Sequence, residues 1–213
     1  REVKQSPLLA DVRTGVGEQR SLMLSNGTAL MLNTASAVDV DDGLGPARLL
    51  LRQGEVMVTV PTRQHCTVST RNGTVEAGES RFALRLFDDG SSLEVFARQA
   101  RVTLSSGQTL LVNSGERCRF NDQGFAALET VPLAADAWGR GLLIANDQRL
   151  DAFISNLSRY RPGWLRCTPA VAGLRISGTY RLDDTDQILR ALTTSLPVQV
   201  QVRTRFWVTI TAA

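Results

Sequence analysis

RLLLRQGEVMVTV, residues Arg48–Val60, decides the class of fold. Leu49 and Leu51 recur at every second position, and Val56, Val58 and Val60 then alternate with Met57 and Thr59. One inward residue in two is the period of an extended strand with a buried face. Between the two runs lies Gln53-Gly54. Glycine tolerates positive φ, so this pair predicts a tight turn joining two strands. Nothing in the stretch carries chemistry, and the question becomes what surface the strands hold up.

The same pattern extends on both sides. After a polar, extended lead-in over residues 1–20, Leu22 and Leu24 precede Asn26-Gly27, and Leu30 and Leu32 follow it. Asn-Gly between alternating runs is a strong hairpin signal. Further turns are expected at Asp42-Gly43, Asn72-Gly73, Asp89-Gly90, Ser106-Gly107 and Ser114-Gly115, with apolar alternation between them. No segment as far as residue 125 has a 3.6-residue period, so residues 1–125 read as one all-β domain of stacked hairpins, a sandwich or a solenoid. Residues 126–140 are Ala-rich around Pro132 and read as a linker.

From residue 141 the text changes. Gly141–Ala145 is a short strand, and Asp147 is placed to cap a helix. Leu150, Phe153, Ile154, Leu157 and Tyr160 then form one helical stripe, ended by Pro162-Gly163. Two strands follow, at Trp164–Cys167 and Leu174–Ser177. A second helix starts at Asp183 with Ile188, Leu189 and Leu192 on one face. A hairpin closes the chain. Residues 141–213 are thus a small βαββαββ unit, with helices laid on a sheet.

The composition bounds the function. The 213 residues are 43% hydrophobic and 21% charged, an ordinary globular balance, and no apolar run reaches a membrane-spanning length. Arg1 is not an initiator Met, so further sequence is expected upstream, with room there for a membrane anchor. A net charge of +3 is too small to carry nucleic-acid binding. Residues 1–134 hold 14 basic and 15 acidic side chains, whereas residues 135–213 hold 10 and 6, which favours an acidic partner for the second part.

Catalytic and cofactor signatures are missing. His65 is the only histidine, and it adjoins Cys66 in strand-like text, where neighbours point to opposite faces. There is no GxSxG, P-loop or GxGxxG. Asp41-Asp42 fits a turn, and Asp183-Asp184 fits a helix N-terminus. Cys66, Cys118 and Cys167 lack the spacing of a metal cage. They read as buried thiols, with a Cys66–Cys118 bridge as the alternative in an oxidising compartment. The chain is expected to be no enzyme and to need no cofactor.

What is left is surface. On the closing hairpin Val198, Val200, Val202, Phe206, Val208 and Ile210 read as inward. The opposite side then carries Gln199, Gln201, Arg203, Trp207 and Thr209. Arg203, Arg205, Trp207 and Thr209 are the candidate partner-binding residues, since Trp and Arg dominate binding hot spots. Trp138 and Trp164 are assigned to the junction and the small core.

Several motifs resemble one family. GEQRSLMLSNGTALML (17–32), continued from Asn33 to Ser36, looks like its opening GExRxxxLxDGSxLxLN. Residues 48–60 look like RxLxLxxGEaxxxV, and RQHCTVSTR (63–71) like RPFxVxT. LVNSGE (111–116) is similar to LxAGE, and AWGRGLLIANDQRLDAFISNLSRY (137–160) to aWxxGxLxFxdxpLxevlxelxRY. Cys66 stands where Phe is usual, and Glu79-Ser80 where Gly-Thr is. The chain is identified by these as similar to the periplasmic part of FecR-like (PupR-type) transmembrane regulators of iron-transport sigma factors. The last unit also resembles the short signalling domain (STN) of secretins and TonB-dependent transducers.

The resemblance implies a periplasmic signal-receiving module. Its partner would be the N-terminal signalling domain of a TonB-dependent outer-membrane ferric-siderophore receptor. Site-specific proteases would cleave the full-length protein, and a sigma factor would be held by an N-terminal domain outside this chain. Periplasmic placement would permit the Cys66–Cys118 bridge. The alternative is a structural or assembly module of a secretion or envelope complex.

Overall fold

The computed structural model describes residues 10–43 and 45–213, so residues 1–9 of the expected lead-in lie outside the described residues. The chain divides into two compact units, Arg1–Pro132 and Leu133–Ala213. It is mainly β with a smaller α+β part.

The first unit is all β. Its strands are β1 (Val12–Arg13), β2 (Arg20–Met23), β3 (Ala29–Leu32), β4 (Ala37–Asp41), β5 (Ala47–Val60), β6 (Cys66–Thr70) and β7 (Gly73–Ala77). They continue with β8 (Ser80–Phe87), β9 (Gly90–Ala97), β10 (Gln99–Thr103), β11 (Thr109–Asn113), β12 (Glu116–Phe120) and β13 (Glu129–Thr130). One hydrogen-bonded network of thirteen strands joins them, and it folds into two sheets around β5. The first half of β5 pairs with β4 and, in parallel, with β6. Its second half pairs with β3 and β8. The sheets therefore run β11-β10-β7-β6-β5-β4-β1 and β2-β3-β5-β8-β9-β12-β13. Leu51, Val68, Val75 and Val102 from one meet Val58, Phe82, Leu93 and Phe120 from the other in a single core.

Gln53-Gly54 is accordingly no hairpin turn: β5 is one strand of 14 residues that changes sheets there. A bulge opposite Ala37 and Val38, which face Gln53 and Leu51, gives β5 an extra residue at Arg52. An extra residue flips every later side chain to the other face. That is why the core-facing positions run 47, 49, 51 and then 56, 58, 60. Gly54 follows at φ +85°, and a Cβ there would stand 2.6 Å from Ser36 Cα and 2.3 Å from its Oγ. The segment that presses on Gly54 is held by a buried polar cluster. The Glu55 amide donates to Ser36 Oγ (2.9 Å), and Asn33 Nδ2 donates to Glu55 Oε2 (2.8 Å). The Thr14 hydroxyl donates to the Asn33 carbonyl (2.6 Å).

Turns appear at the expected glycines. Asn26-Gly27 links β2 to β3, Asn72-Gly73 links β6 to β7, Asp89-Gly90 starts β9, and Ser106-Gly107 links β10 to β11. Ser114-Gly115 instead carries the chain from one sheet to the other, since β11 pairs with β10 and β12 with β9. The 126–140 stretch, read as a linker, contains more structure than that. Within it β13 pairs with β12, pinned by an Arg117–Glu129 ion pair, and Ala137–Arg140 forms a 3-10 turn.

The second unit keeps the expected order with one short extra helix. It comprises β14 (Leu142–Arg149), α1 (Leu150–Ser158), β15 (Trp164–Cys167), α2 (Pro169–Ala172), β16 (Arg175–Arg181), α3 (Thr185–Ser195), β17 (Val198–Thr204) and β18 (Trp207–Ala212). Its strands form two sheets rather than one, β14-β16 and β15-β18-β17, the β15-β18 pair being parallel. Phe153, Leu157, Ile188 and Leu192 of the helices share a core with Ile176 of one sheet and Val208 and Ile210 of the other. Asp147 does not cap α1. The strand runs on past it through a bulge between Ala145 and Gln148, and Arg149 occupies the N-cap position. Asp184 does cap α3, accepting from the Gln187 amide at 2.8 Å.

The bend in β5 makes a direct prediction. Gly54→Ala combines left-handed backbone strain with a clash against main chain, and should destabilise the first unit by about 2–5 kcal/mol. Gly107→Ala has a similar φ of +84° but nothing within 4 Å of its Cβ, and should cost only about 1–2 kcal/mol. Urea denaturation of the two variants separates these values, and equal losses would refute the account of Gly54.

Candidate interaction surface

In the three-stranded sheet of the second unit, β18 lies in the middle. Its register with β15 sets Trp164 beside Trp207, Leu165 beside Val208 and Arg166 beside Thr209. Alternation then sends Leu165 and Val208 into the core and leaves Trp164, Arg166, Trp207 and Thr209 on the other face. The entry to β15 is fixed by Gly163. Its φ is +92°, a Cβ would meet the Phe206 carbonyl at 2.2 Å, and the next amide, of Trp164, donates to that carbonyl at 2.6 Å.

The two indoles stack at 6.4 Å between centroids and 24° between planes, yet Trp164 is 55% and Trp207 51% exposed. The Arg166 guanidinium lies 4.4 Å over the Trp164 ring. With Thr209 and Val208 these residues line a largely apolar slot of about 310 Å³. Arg203 and Arg205 are exposed but do not line it, and Arg205 stacks on Phe206 at 4.5 Å.

Of the candidate residues, then, Trp207 and Thr209 come together, and Arg203 and Arg205 lie apart from the slot. Trp164, assigned to the small core, is instead half the slot, and Arg166 was not singled out. The alternation of Trp164 and Arg166 about Leu165 was the signal that both share an outer face. Trp138 is buried. Two residues read as inward are exposed, Val202 at 63% and Phe206 at 45%. The register shifts between Val202 and Thr204, and Phe206 sits in the two-residue turn rather than in a strand.

Groups with chemical potential elsewhere have structural occupations. Cys66 and Cys118 are free and buried, on the two facing sheets, which is the thiol reading rather than the bridge given as its alternative. Burial pushes the Cys66 thiol up to about 12; it takes Cys118 to about 11, with a smaller contribution from the Glu129 carboxylate. His65 is exposed while Cys66 is buried, which keeps the two apart. Glu94 has its pKa raised, first by burial and then by the Glu55 carboxylate, and it faces Arg117 at 3.7 Å. Asp42 accepts from the Ser25 amide at 2.8 Å as a turn cap. A second cavity of about 370 Å³ runs past Phe87, Asp89, Arg119 and Phe125. Among the described residues no three His, Cys, Asp or Glu side chains are grouped to hold a metal, and no helix is long and apolar enough to cross a membrane.

Residues 10–101 match the profile of the family described as FecR protein. Two crystal structures of anti-sigma-factor candidates from Parabacteroides distasonis share the fold, each at 17% identity over 95% of this chain and 98% of theirs. Their TM-scores are 0.73 and 0.74. No curated protein matches the sequence. Residues 10–101 are FecR-like, and they lie in an all-β unit that a small α+β unit follows.

The state of the thiols is directly measurable. At pH 8 iodoacetamide should leave Cys66 and Cys118 unmodified in the folded chain and alkylate both in urea without prior reduction, because a raised pKa leaves almost no thiolate. Mass spectrometry reads this, and labelling that requires a reductant would contradict it.

Proposed function

We propose that this FecR-like chain is the periplasmic, signal-receiving portion of a transmembrane sigma-factor regulator. On this reading it binds the N-terminal signalling domain of a TonB-dependent outer-membrane ferric-siderophore receptor and so controls transcription of iron-uptake genes. The role is regulatory and works through binding. The observation that carries it is the uncovered sheet face with two stacked, half-exposed tryptophans, on a hairpin that also exposes Arg203 and Arg205. Large aromatics and arginines left in water are the usual anchors of a protein interface. The FecR-type region and the shared fold of the anti-sigma-factor candidates support the same class. The sigma factor and the site-specific proteases would engage other parts of the full-length protein.

Pulldown and calorimetry with the signalling domain of the cognate receptor test the reading. The chain should bind with a Kd in the micromolar range or tighter, and Trp207→Ala combined with Arg203→Glu should weaken binding at least tenfold. Unchanged binding by that double variant would reject this face. Ring-like homo-oligomers on a sizing column, without receptor binding, would favour the assembly-module alternative.

A further inference from the structure

Eight of the ten arginines of the second unit fall into two groups. Arg149 pairs with Asp151, Arg161 with Asp186, Arg175 with Asp147, Arg181 with Asp183, and Arg190 with Asp184. These pairs occupy the acidic residues of β14, α1 and the segment through α3. By contrast β15, β17, β18 and the turn between the last two contain Arg166, Arg203 and Arg205 and no Asp or Glu at all. Among the described residues none of these three arginines has a carboxylate partner. Three cations without a carboxylate partner are therefore gathered on one sheet and its turn, and one of them, Arg166, lines the largely apolar slot of that sheet.

Arg166 is the member of this group that the fold has prepared. Its guanidinium carbon lies over the Trp164 indole, 4.4 Å from the ring centroid. A guanidinium held over a ring loses less freedom when its N–H fork makes the next bond. The adjoining slot, walled by Trp164 and Trp207 and closed by Thr209, has the volume for a large apolar side chain.

Resting on the receptor reading above, we propose that the slot takes an acidic segment of the partner polypeptide. One bulky apolar side chain lies between the tryptophans and Thr209, and a neighbouring carboxylate is held by the Arg166 fork. Arg203 and Arg205 supply longer-range attraction. The complementarity argues for this occupant over a second copy of the chain, whose same sheet would bring cation against cation.

The experiment is a set of titrations of the receptor signalling domain into the chain, with the slot variants Trp164→Ala, Arg166→Glu and Arg166→Lys. Arg140→Glu, the same charge change at an exposed position off this sheet, is the control. Trp164→Ala and Arg166→Glu should each weaken binding at least tenfold, Arg166→Lys should recover part of the loss, and Arg140→Glu should change it less than twofold. Wild-type binding should weaken as salt rises, and Arg166→Glu should flatten that dependence. Receptor binding that survives both slot variants overturns the slot while leaving the receptor reading intact. No binding of any signalling domain overturns the receptor reading. The slot is then decided by tryptophan emission during titration with the peptide Glu-Asp-Leu-Ile-Asp-Glu and its counterpart Lys-Lys-Leu-Ile-Lys-Lys. A blue shift with the acidic peptide alone supports the slot, and any other result overturns it.

Discussion

The first unit depends on one strand belonging to two sheets. Each half of β5 is flanked on both edges, by β4 and β6 before Gly54 and by β3 and β8 after it. A strand hydrogen-bonded on four sides cannot shift register without breaking ladders in both sheets. Its change of direction needs one extra residue at Arg52, a left-handed glycine, and a partner segment close enough to exclude a side chain. The cost of burying Asn33, Ser36 and Glu55 beside that bend is offset because each is hydrogen-bonded. The GE pair of the motif is thus the hinge of a sandwich: the glycine permits the bend and the glutamate binds the turn that lies on it.

The second unit is governed by a different constraint. Three helices and two small sheets share a core, which leaves the far face of β15-β18-β17 without a layer. Most charge in the unit is neutralised by Arg–Asp pairs within it. Arg166, Arg203 and Arg205, which have no carboxylate partner among the described residues, lie on the uncovered sheet and its turn, the sheet that also carries the exposed indoles. Exposed Arg–Asp pairs contribute little stability; their consequence here is the positive field they leave on one side.

Much of this was legible in the sequence. Alternation located the strands, Asn-Gly and Asp-Gly located the turns, and the stripes at Leu150–Leu157 and Ile188–Leu192 located both long helices. The motif resemblance pointed to the FecR-like class. Errors arose where a local signal had two physical meanings. Gln53-Gly54 suits a hairpin or a bend, and only the slip in parity between Leu51 and Val56 distinguishes them. Asp147 has the look of a cap but lies in a bulged strand. Phe206 continues an apolar alternation that a register shift interrupts. Which strands pair, and hence that Cys66 and Cys118 lie on separate sheets, is fixed by contacts distant in sequence and leaves no local mark. Trp164 was assigned inward because tryptophan is usually well buried, although the alternation around Leu165 placed it outside.

The central claim is that β5 binds the two sheets into a single cooperative body. Native-state hydrogen exchange in rising urea, resolved separately for residues 48–52 and 56–60, tests it most directly. Both segments should exchange through one opening, with the same free energy and the same denaturant dependence as global unfolding of the first unit. Exchange of one half at a distinctly lower free energy, while the other remains protected, would show two sheets folding independently and would contradict the account.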